Sequence, residues 1–276
     1  MLRHILLISC CCLLLSGVRA GGEPLTGGGR PFALGQAFTG VRSSLWSLYY
    51  NPAGITGLEG TAAGAWVENR FFLSPFTTAG IAAAQPLSGN QAAGLHAQSF
   101  GGAGYRENSA ALTYGITVLD LISIGAQAQY QAISIEGYGN TGMLLGNVGL
   151  QVQLNQQVSV GFGGYNVARA RITTLSGQED VPVQLTAGVA YRPTDKVLVV
   201  ADVQKDVDHP VSFRGGIEYQ PQDIFVVRVG TGTQPLALTG GLGLNLSRFT
   251  LDGAFSFTQL AGYSTHVSMG FALGKS

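Results

Sequence analysis

The stretch Arg30-Pro-Phe-Ala-Leu-Gly-Gln-Ala-Phe-Thr-Gly-Val-Arg-Ser-Ser-Leu-Trp-Ser-Leu-Tyr-Tyr-Asn-Pro-Ala-Gly-Ile55 is the part of the chain that does not read as β-strand. Within it Phe38, Val41, Leu45 and Leu48 recur at spacings of three to four, the period of a short amphipathic helix. Asn51-Pro52 ends that run, because a residue before proline is pushed out of the α region. From Gly60 onward the sequence divides into fourteen candidate strands separated by Gly, Asn, Asp, Pro or Ser turns. They cover residues 60–72, 75–86, 90–101, 105–118, 122–138, 142–154, 157–167, 181–193, 196–206, 211–221, 224–234, 236–247, 249–260 and 262–274. Most have the length of about 9–11 residues that a tilted transmembrane strand needs. Their even number suits a closed antiparallel barrel with both termini on the periplasmic side.

Alternation is clearest in the C-terminal half. Val181, Val183, Leu185, Ala187, Val189 and Tyr191 share one face of a strand whose other face carries Gln184, Thr186, Gly188 and Arg192. Val211, Phe213, Ile217 and Tyr219 oppose Ser212, Arg214, Glu218 and Gln220 in the same way. Near the end Leu251, Phe255 and Phe257 oppose Asp252, Ser256 and Thr258, and Val267, Met269, Phe271 and Leu273 oppose His266 and Ser268. In a soluble sandwich the apolar face would point to the core; in a membrane barrel the sense is reversed. Composition decides between them. Charged residues are 11%, far below the roughly 25% of soluble domains, while glycine supplies 41 positions. Mean hydropathy is positive at +0.25, yet after the first residues there is no run of about 18 apolar residues. A hydrophobic chain without a membrane helix points to the other structure that closes its backbone hydrogen bonds in lipid, the β-barrel. Phe71, Phe72, Tyr138, Tyr191, Tyr219, Phe249 and Tyr263 near strand ends suit interfacial girdles.

The chain opens with a basic residue, an apolar run from Ile5 to Leu15 and small residues up to Ala20, the pattern of a secretory signal peptide over residues 1–20. Cys10, Cys11 and Cys12 all lie in it, so the mature chain has no disulfide framework and no thiolate metal site. Loss of Arg3 and Arg19 leaves 13 basic against 15 acidic residues, about −2 in net charge. No basic stripe suggests nucleic acid. Residues 21–29, with three consecutive glycines, read as a flexible leader. The longest polar insert, Arg169 to Asp180, joins the seventh and eighth strands and is placed outside the cell by strand counting.

Gly35, Ala37-Phe38-Thr39, Val41 and the box Tyr50-Asn51-Pro52-Ala53-Gly54 resemble the N-terminal signature of the FadL-like outer-membrane barrels, in particular the PorV/PorQ family of Bacteroidetes-type bacteria. The resemblance implies that residues 21–58 form a leader and a short helical hatch folded back into the lumen of a barrel built by residues 59–276. It implies an integral outer-membrane protein of a Gram-negative cell, attached to type IX protein secretion or passing hydrophobic compounds as FadL-like channels do. Partners would then be outer-membrane lipid, a hydrophobic small molecule or a secretion-system protein, with no cofactor and no metal. In the hatch, Asn51 would hydrogen-bond inside the lumen while Trp46, Leu48 and Tyr49 pack on the wall. The C-terminus departs from the usual pattern, since Phe271 is followed by five more residues.

Arg192, Asp202, Arg214, Glu218, Arg228, Asp252 and His266 fall on the inferred inner faces of neighbouring strands. They read as a mixed-sign network that braces a narrow lumen, with a solute route as the other reading, because paired charges need one another to offset desolvation. An enzyme is not expected. Ser264, His266, Ser268 and Asp252 share inner faces and would be the residues of an outer-membrane lipid hydrolase, but no Gly-x-Ser-x-Gly elbow is present. A third alternative is a non-transporting docking partner of a larger translocon. It would use a wall patch of Gly80, Ala82, Ala83, Ala84, Ala92, Ala93 and Gly94, where small side chains let another protein approach.

Overall fold

The alternating segments do become strands, and their polar sides turn inward. The computed structural model of the protein describes residues 26–87, 89–174, 177–207, 210–259 and 262–273. The signal segment 1–20, the leader up to residue 25, Ser88 of the second turn and the residues after Leu273 lie outside them. Among the described residues the strands are β1 (Thr61–Arg70), β2 (Thr77–Pro86), β3 (Gln91–Gly101), β4 (Tyr105–Leu119), β5 (Ile122–Ile135), β6 (Gly139–Gln153) and β7 (Val158–Tyr165). After these come β8 (Arg171–Thr174), β9 (Gly177–Asp180), β10 (Gln184–Thr194), β11 (Val197–Asp206) and β12 (Ser212–Tyr219). The last are β13 (Phe225–Thr233), β14 (Leu236–Leu246), β15 (Phe249–Thr258) and β16 (Gly262–Leu273). All but β8 and β9 form one closed barrel of fourteen antiparallel strands in chain order, sealed where β1 pairs with β16 from Thr61↔Leu273 to Arg70↔Ser264. Each of the fourteen expected strands is present, and among the described residues no helix is long and apolar enough to cross a membrane.

Burial has the sense of a membrane barrel. On the outer faces Leu112, Leu144, Leu185, Phe213, Val229, Leu238, Leu242, Phe255 and Val267 are exposed, while inward-facing Gln129, Gln131, Gln151, His96 and Ser268 are 2% exposed or less. A water-soluble sandwich would leave this much apolar surface unsatisfied; a hydrocarbon surround matches it. Tyr191, Tyr219 and Phe249 are exposed at the rim that carries Leu58 and Leu273, and Tyr138, Phe72 and Tyr263 at the other. Phe71 departs from the girdle: it is half-buried, its ring 6.0 Å from that of Phe76.

Two expectations are corrected. Val181 precedes β10 and is buried against Ile133, Met143, Leu145 and Ile172, so it belongs to the packing of the β8–β9 hairpin and not to the outer face of a strand. The insert Arg169–Asp180 is therefore a folded hairpin, at the rim opposite Leu58 and Leu273. The small-residue patch also mostly faces inward. Along β2 and β3, Gly80, Ala82, Ala84, Ala92 and Gly94 take lumen positions, and only Ala83 and Ala93 face out. An alanine- and glycine-rich strand has no polar side to mark its interior, so its alternation is silent in the sequence.

Candidate functional site in the barrel lumen

The small inner wall makes room for the chain's own N-terminal segment. Residues 26–58 run through the lumen as a short helix α1 (Gly29–Ala33) followed by two 3-10 turns, Leu45–Tyr49 and Pro52–Gly57. The helix expected through Phe38, Val41, Leu45 and Leu48 is not formed as such: residues 38–44 are turn and extended chain, and their apolar side chains are buried against the wall instead. Leu34, Ala37, Phe38, Ala53 and Ile55 are completely buried in it. A Cβ on Gly94 would lie 2.6 Å from Leu48, and one on Gly64 2.9 Å from Trp46. At Gly161 and Gly125 an added Cβ would run into the backbone of Thr39 and of Pro52-Ala53, so those strands are glycine where the segment crosses them.

Polar anchors come from walls on opposite sides. Ser268 Oγ accepts from the Gly29 amide (2.9 Å), while Thr239 Oγ1 donates to the Ala33 carbonyl (2.9 Å) and accepts from the Gly35 amide (3.0 Å). Asp202 Oδ2 accepts from the amides of Phe38 (2.8 Å) and Thr39 (2.9 Å), and Arg214 donates to the Gln36 side chain (3.1 Å). From the facing side Gln151 Nε2 (2.6 Å) and Ser159 Oγ (2.7 Å) donate to the Gly40 carbonyl, and Gln127 Nε2 to that of Leu48 (2.8 Å).

Asn51 ties these together. It is fully buried, its Oδ1 accepts from the Ala53 amide (3.1 Å), and its Nδ2 donates to Thr39 O (2.9 Å), Gln151 Oε1 (3.0 Å) and Leu150 O (3.1 Å). As N-cap of the Pro52–Gly57 turn it satisfies an otherwise orphan amide, and Pro52 fits the first turn because it has no amide to satisfy. Gly54 is glycine by contact: a Cβ there would sit 2.7 Å from Ser47 Oγ. Tyr50 packs its ring 5.5 Å from that of Phe38. Asn51 thus ties the segment to β6, while Tyr50 and Gly54 pack within the segment itself.

The inner-face charges divide by task. Arg228 donates to Glu218 (2.6 Å) and Asp252 (2.6 Å), and Arg30 from α1 completes the chain through two bonds to Glu218 (2.7 and 2.8 Å). Burial weakens the Arg30 charge, but the Glu218 carboxylate outweighs it and holds the guanidinium above its usual range. Asp202 and Arg214 instead hold the segment's backbone and Gln36. Arg192 is exposed at the end of β10 and joins none of these pairs. His266 is not in the charge network: its ring stacks on Trp66 at 5.1 Å and 17° and lies 5.2 Å from Phe32. Asp252 is bonded to Arg228, Ser268 to Gly29, and no hydrogen bond joins either to His266, so Ser264, His266, Ser268 and Asp252 form no proton relay. Sequence reading missed Arg30 as a network member. It also missed the amide ladder in which Gln127 bonds Thr113, Asn147 bonds Gln127 and Gln129, and Gln131 bonds Glu107. The signal was present as Gln127-x-Gln129-x-Gln131.

Trp46, Leu48 and Tyr49 face β1–β3. Trp66 Nε1 donates to Tyr49 Oη (3.0 Å), and the Tyr49 ring lies 4.3 Å from that of His96. Burial pushes the Tyr49 phenol up to about 12, against the hydrogen bond from Trp66, which lowers it.

Neither a family model nor a curated protein sequence matches the chain. Solved structures do. The Pseudomonas putida toluene transporter TodX superposes with a TM-score of 0.70 at 12% identity, over 92% of this chain and 100% of that one. The Ralstonia pickettii toluene transporter TbuX gives 0.63 at 15% identity, over 92% and 99%. A Pseudomonas aeruginosa FadL homologue gives 0.64 at 11%, over 92% and 98%. These structures are described as transporters or by membership of the FadL group, none as an enzyme. At such identities the likeness speaks for the fold, and the chain has the fold of a FadL-like outer-membrane barrel.

Proposed function

We propose that the protein is an outer-membrane channel for hydrophobic small molecules, with residues 21–58 as the hatch that closes it, residues 59–276 as the barrel and residues 1–20 as the removed signal. The observation that carries this reading is the segment 26–58 itself. It fills lumen space with fully buried side chains and is held there by side-chain hydrogen bonds and ion pairs from the wall. A permanent brace needs no such division between a rigid ladder and a separately anchored insert. The barrel likeness supports it further, since TodX and TbuX are toluene transporters. An apolar solute would enter at the rim bearing the β8–β9 hairpin, displace part of the hatch and leave laterally or through the lumen. Arg30, Asp202, Arg214, Glu218, Arg228 and Asp252 would act as fasteners of the hatch and not as solute ligands, and Tyr50 to Gly54 as its fold.

The docking-partner reading loses its main support, because five of the seven small wall residues face the hatch. Attachment to type IX secretion, the other branch opened by the PorV/PorQ resemblance, has no observation behind it in this fold. Uptake of labelled toluene or fatty acid into proteoliposomes, together with single-channel conductance with and without residues 21–54, tests the proposal. Solute movement by the intact protein and ion conductance after deletion support it; correctly assembled barrels silent in both assays refute it.

A further inference from the structure

A line of buried side-chain amides joins the hatch to the β8–β9 hairpin at the far rim. At the hatch end Gln127 Nε2 donates to the Leu48 carbonyl (2.8 Å) and to Thr113 Oγ1 (2.8 Å), while Gln127 Oε1 accepts from Asn147 Nδ2 (2.8 Å). Asn147 Nδ2 also donates to Gln129 Oε1 (3.2 Å), and Asn147 Oδ1 accepts from the Asn166 backbone amide (2.9 Å). Asn166 in turn holds the base of the hairpin: its Oδ1 accepts from the Ala170 amide (2.8 Å) and its Nδ2 donates to the Val181 carbonyl (2.9 Å). None of the Asn166 bonds reaches the hatch. Gln127, Asn147 and Asn166 are 7%, 6% and 0% exposed, so bulk water does not stand in for a lost partner.

A side-chain amide has a donor end and an acceptor end, so this line has a polarity. Turning Gln127 alone would set its Oε1 against the Leu48 carbonyl and its Nε2 against Asn147 Nδ2. Turning Gln127 and Asn147 together restores the bond between them, but sets an oxygen against the Leu48 carbonyl and Nδ2 against the Asn166 amide. The pair therefore has two arrangements, and the seated hatch and the seated hairpin each select the same one. We propose that these amides couple hairpin and hatch, so that lifting the base of the hairpin loosens the hatch and displacing the hatch loosens the hairpin. The warrant is an element with two discrete arrangements that both ends bias. This rests on the channel reading above and adds its regulation: a solute that enters past the hairpin weakens the hold of Gln127 on Leu48 before it reaches the hatch.

Hydrogen exchange on the full barrel in detergent tests the coupling without any transport step. Glycine tolerates the left-handed φ of 51° found at Asn166, so Asn166→Gly removes both side-chain bonds at the hairpin base without straining the backbone. It should speed exchange of peptides 166–173 and, through the amides, that of peptides 45–54 by about fivefold, the weight of one ordinary hydrogen bond. Asn147→Leu is close in size and has no amide to turn. In that background Asn166→Gly should leave peptides 45–54 at the rate of Asn147→Leu alone. The reverse direction starts from Gly94, where an added Cβ would lie 2.6 Å from Leu48. Gly94→Val should loosen the hatch and, by reciprocity, speed peptides 166–173 by a like factor; it decides the matter if Asn147→Leu does not assemble. The coupling is overturned by hatch peptides as slow in Asn166→Gly as in wild type, by an undiminished effect in the Asn147→Leu background, or by hairpin peptides unmoved in Gly94→Val. Toluene or fatty-acid uptake in the liposome assay would still stand in those cases, and silence in that assay would leave the exchange results as they are, so the two proposals fail separately.

Discussion

Replacing Asn51 by aspartate keeps size and shape, turns one donor atom into an acceptor and places a carboxylate charge at a fully buried position. In the wild type the Nδ2 group serves three oxygens at 2.9 to 3.1 Å: Thr39 O, Gln151 Oε1 and Leu150 O. In Asn51→Asp these three would face a carboxylate oxygen. Gln151 could turn its amide to donate to that oxygen, but its Nε2 already holds the Gly40 carbonyl at 2.6 Å, and turning would give up that anchor. The Thr39 carbonyl remains unpaired in either arrangement, and the carboxylate faces it and the Leu150 carbonyl, which keeps its place in the β6–β7 ladder. At about 1–3 kcal/mol for a buried carbonyl left without a partner, and more for a charged group, the closed hatch loses on the order of 4 kcal/mol, close to a thousandfold in its closed-to-displaced ratio. Strand–strand bonds are untouched, so the barrel itself should persist. Hydrogen exchange followed by mass spectrometry separates the two: peptides from 34–58 should lose protection by two to three orders of magnitude on the estimate above, while peptides from β13–β16 keep theirs. Single-channel conductance should appear in parallel. If the hatch peptides of Asn51→Asp exchange as slowly as wild type, the reasoning is wrong and Asn51 is not what fixes the segment.

Further predictions follow from the same contacts. Gly161→Ala should displace the hatch, because its Cβ would overlap the Thr39 carbonyl, whereas Gly253→Ala, with nothing within 4 Å, should leave exchange and conductance as in wild type. Arg228→Met leaves Asp252 without its partner and Glu218 with Arg30 alone; breaking this buried group should cost about 3–5 kcal/mol, read as a lower urea midpoint, and removing all three wall charges together should cost less. Asp202→Ala removes the acceptor of the Phe38 and Thr39 amides and should speed exchange of those two amides more than of Ala53. For pH, the Tyr49 phenol titrates at about 12 in the folded chain and near 10 when unfolded. The folded value is the higher, so the contribution of the neutral ring is intact below about pH 10 and is lost as pH rises toward 12. Conductance of the wild type should rise across that window, and Tyr49→Phe should remove its Tyr49-dependent part.

Period-two alternation is a property of one strand at a time, which is why β10 to β16 and their faces were legible from residues such as Leu185, Phe213 and Asp252. Turn residues marked the ends of the strands for the same local reason. What lay beyond the sequence is the register around the barrel, set by shear and closure and not by any one strand. The partners of the inner-face charges were not legible, since Glu218, Arg228 and Asp252 meet across three strands and with Arg30 from the hatch, while Arg192 is exposed at the end of β10 and His266 packs among aromatic rings instead. Alanine-rich β2 and β3 gave no contrast between faces, so residues that accommodate Leu48 read as a lipid-facing patch. His96 sat in that same stretch and went unremarked.

The central claim is that a FadL-like barrel is closed by its own N-terminal segment and opens to hydrophobic solute. The most direct measurement is uptake of labelled toluene into proteoliposomes alongside ion conductance, for wild type and Asn51→Asp on the same day's preparations. The account predicts solute uptake with little ion current in wild type, and faster uptake with measurable current in the variant. Barrels that are heat-modifiable and well inserted, yet pass neither toluene nor ions in either form, would contradict it.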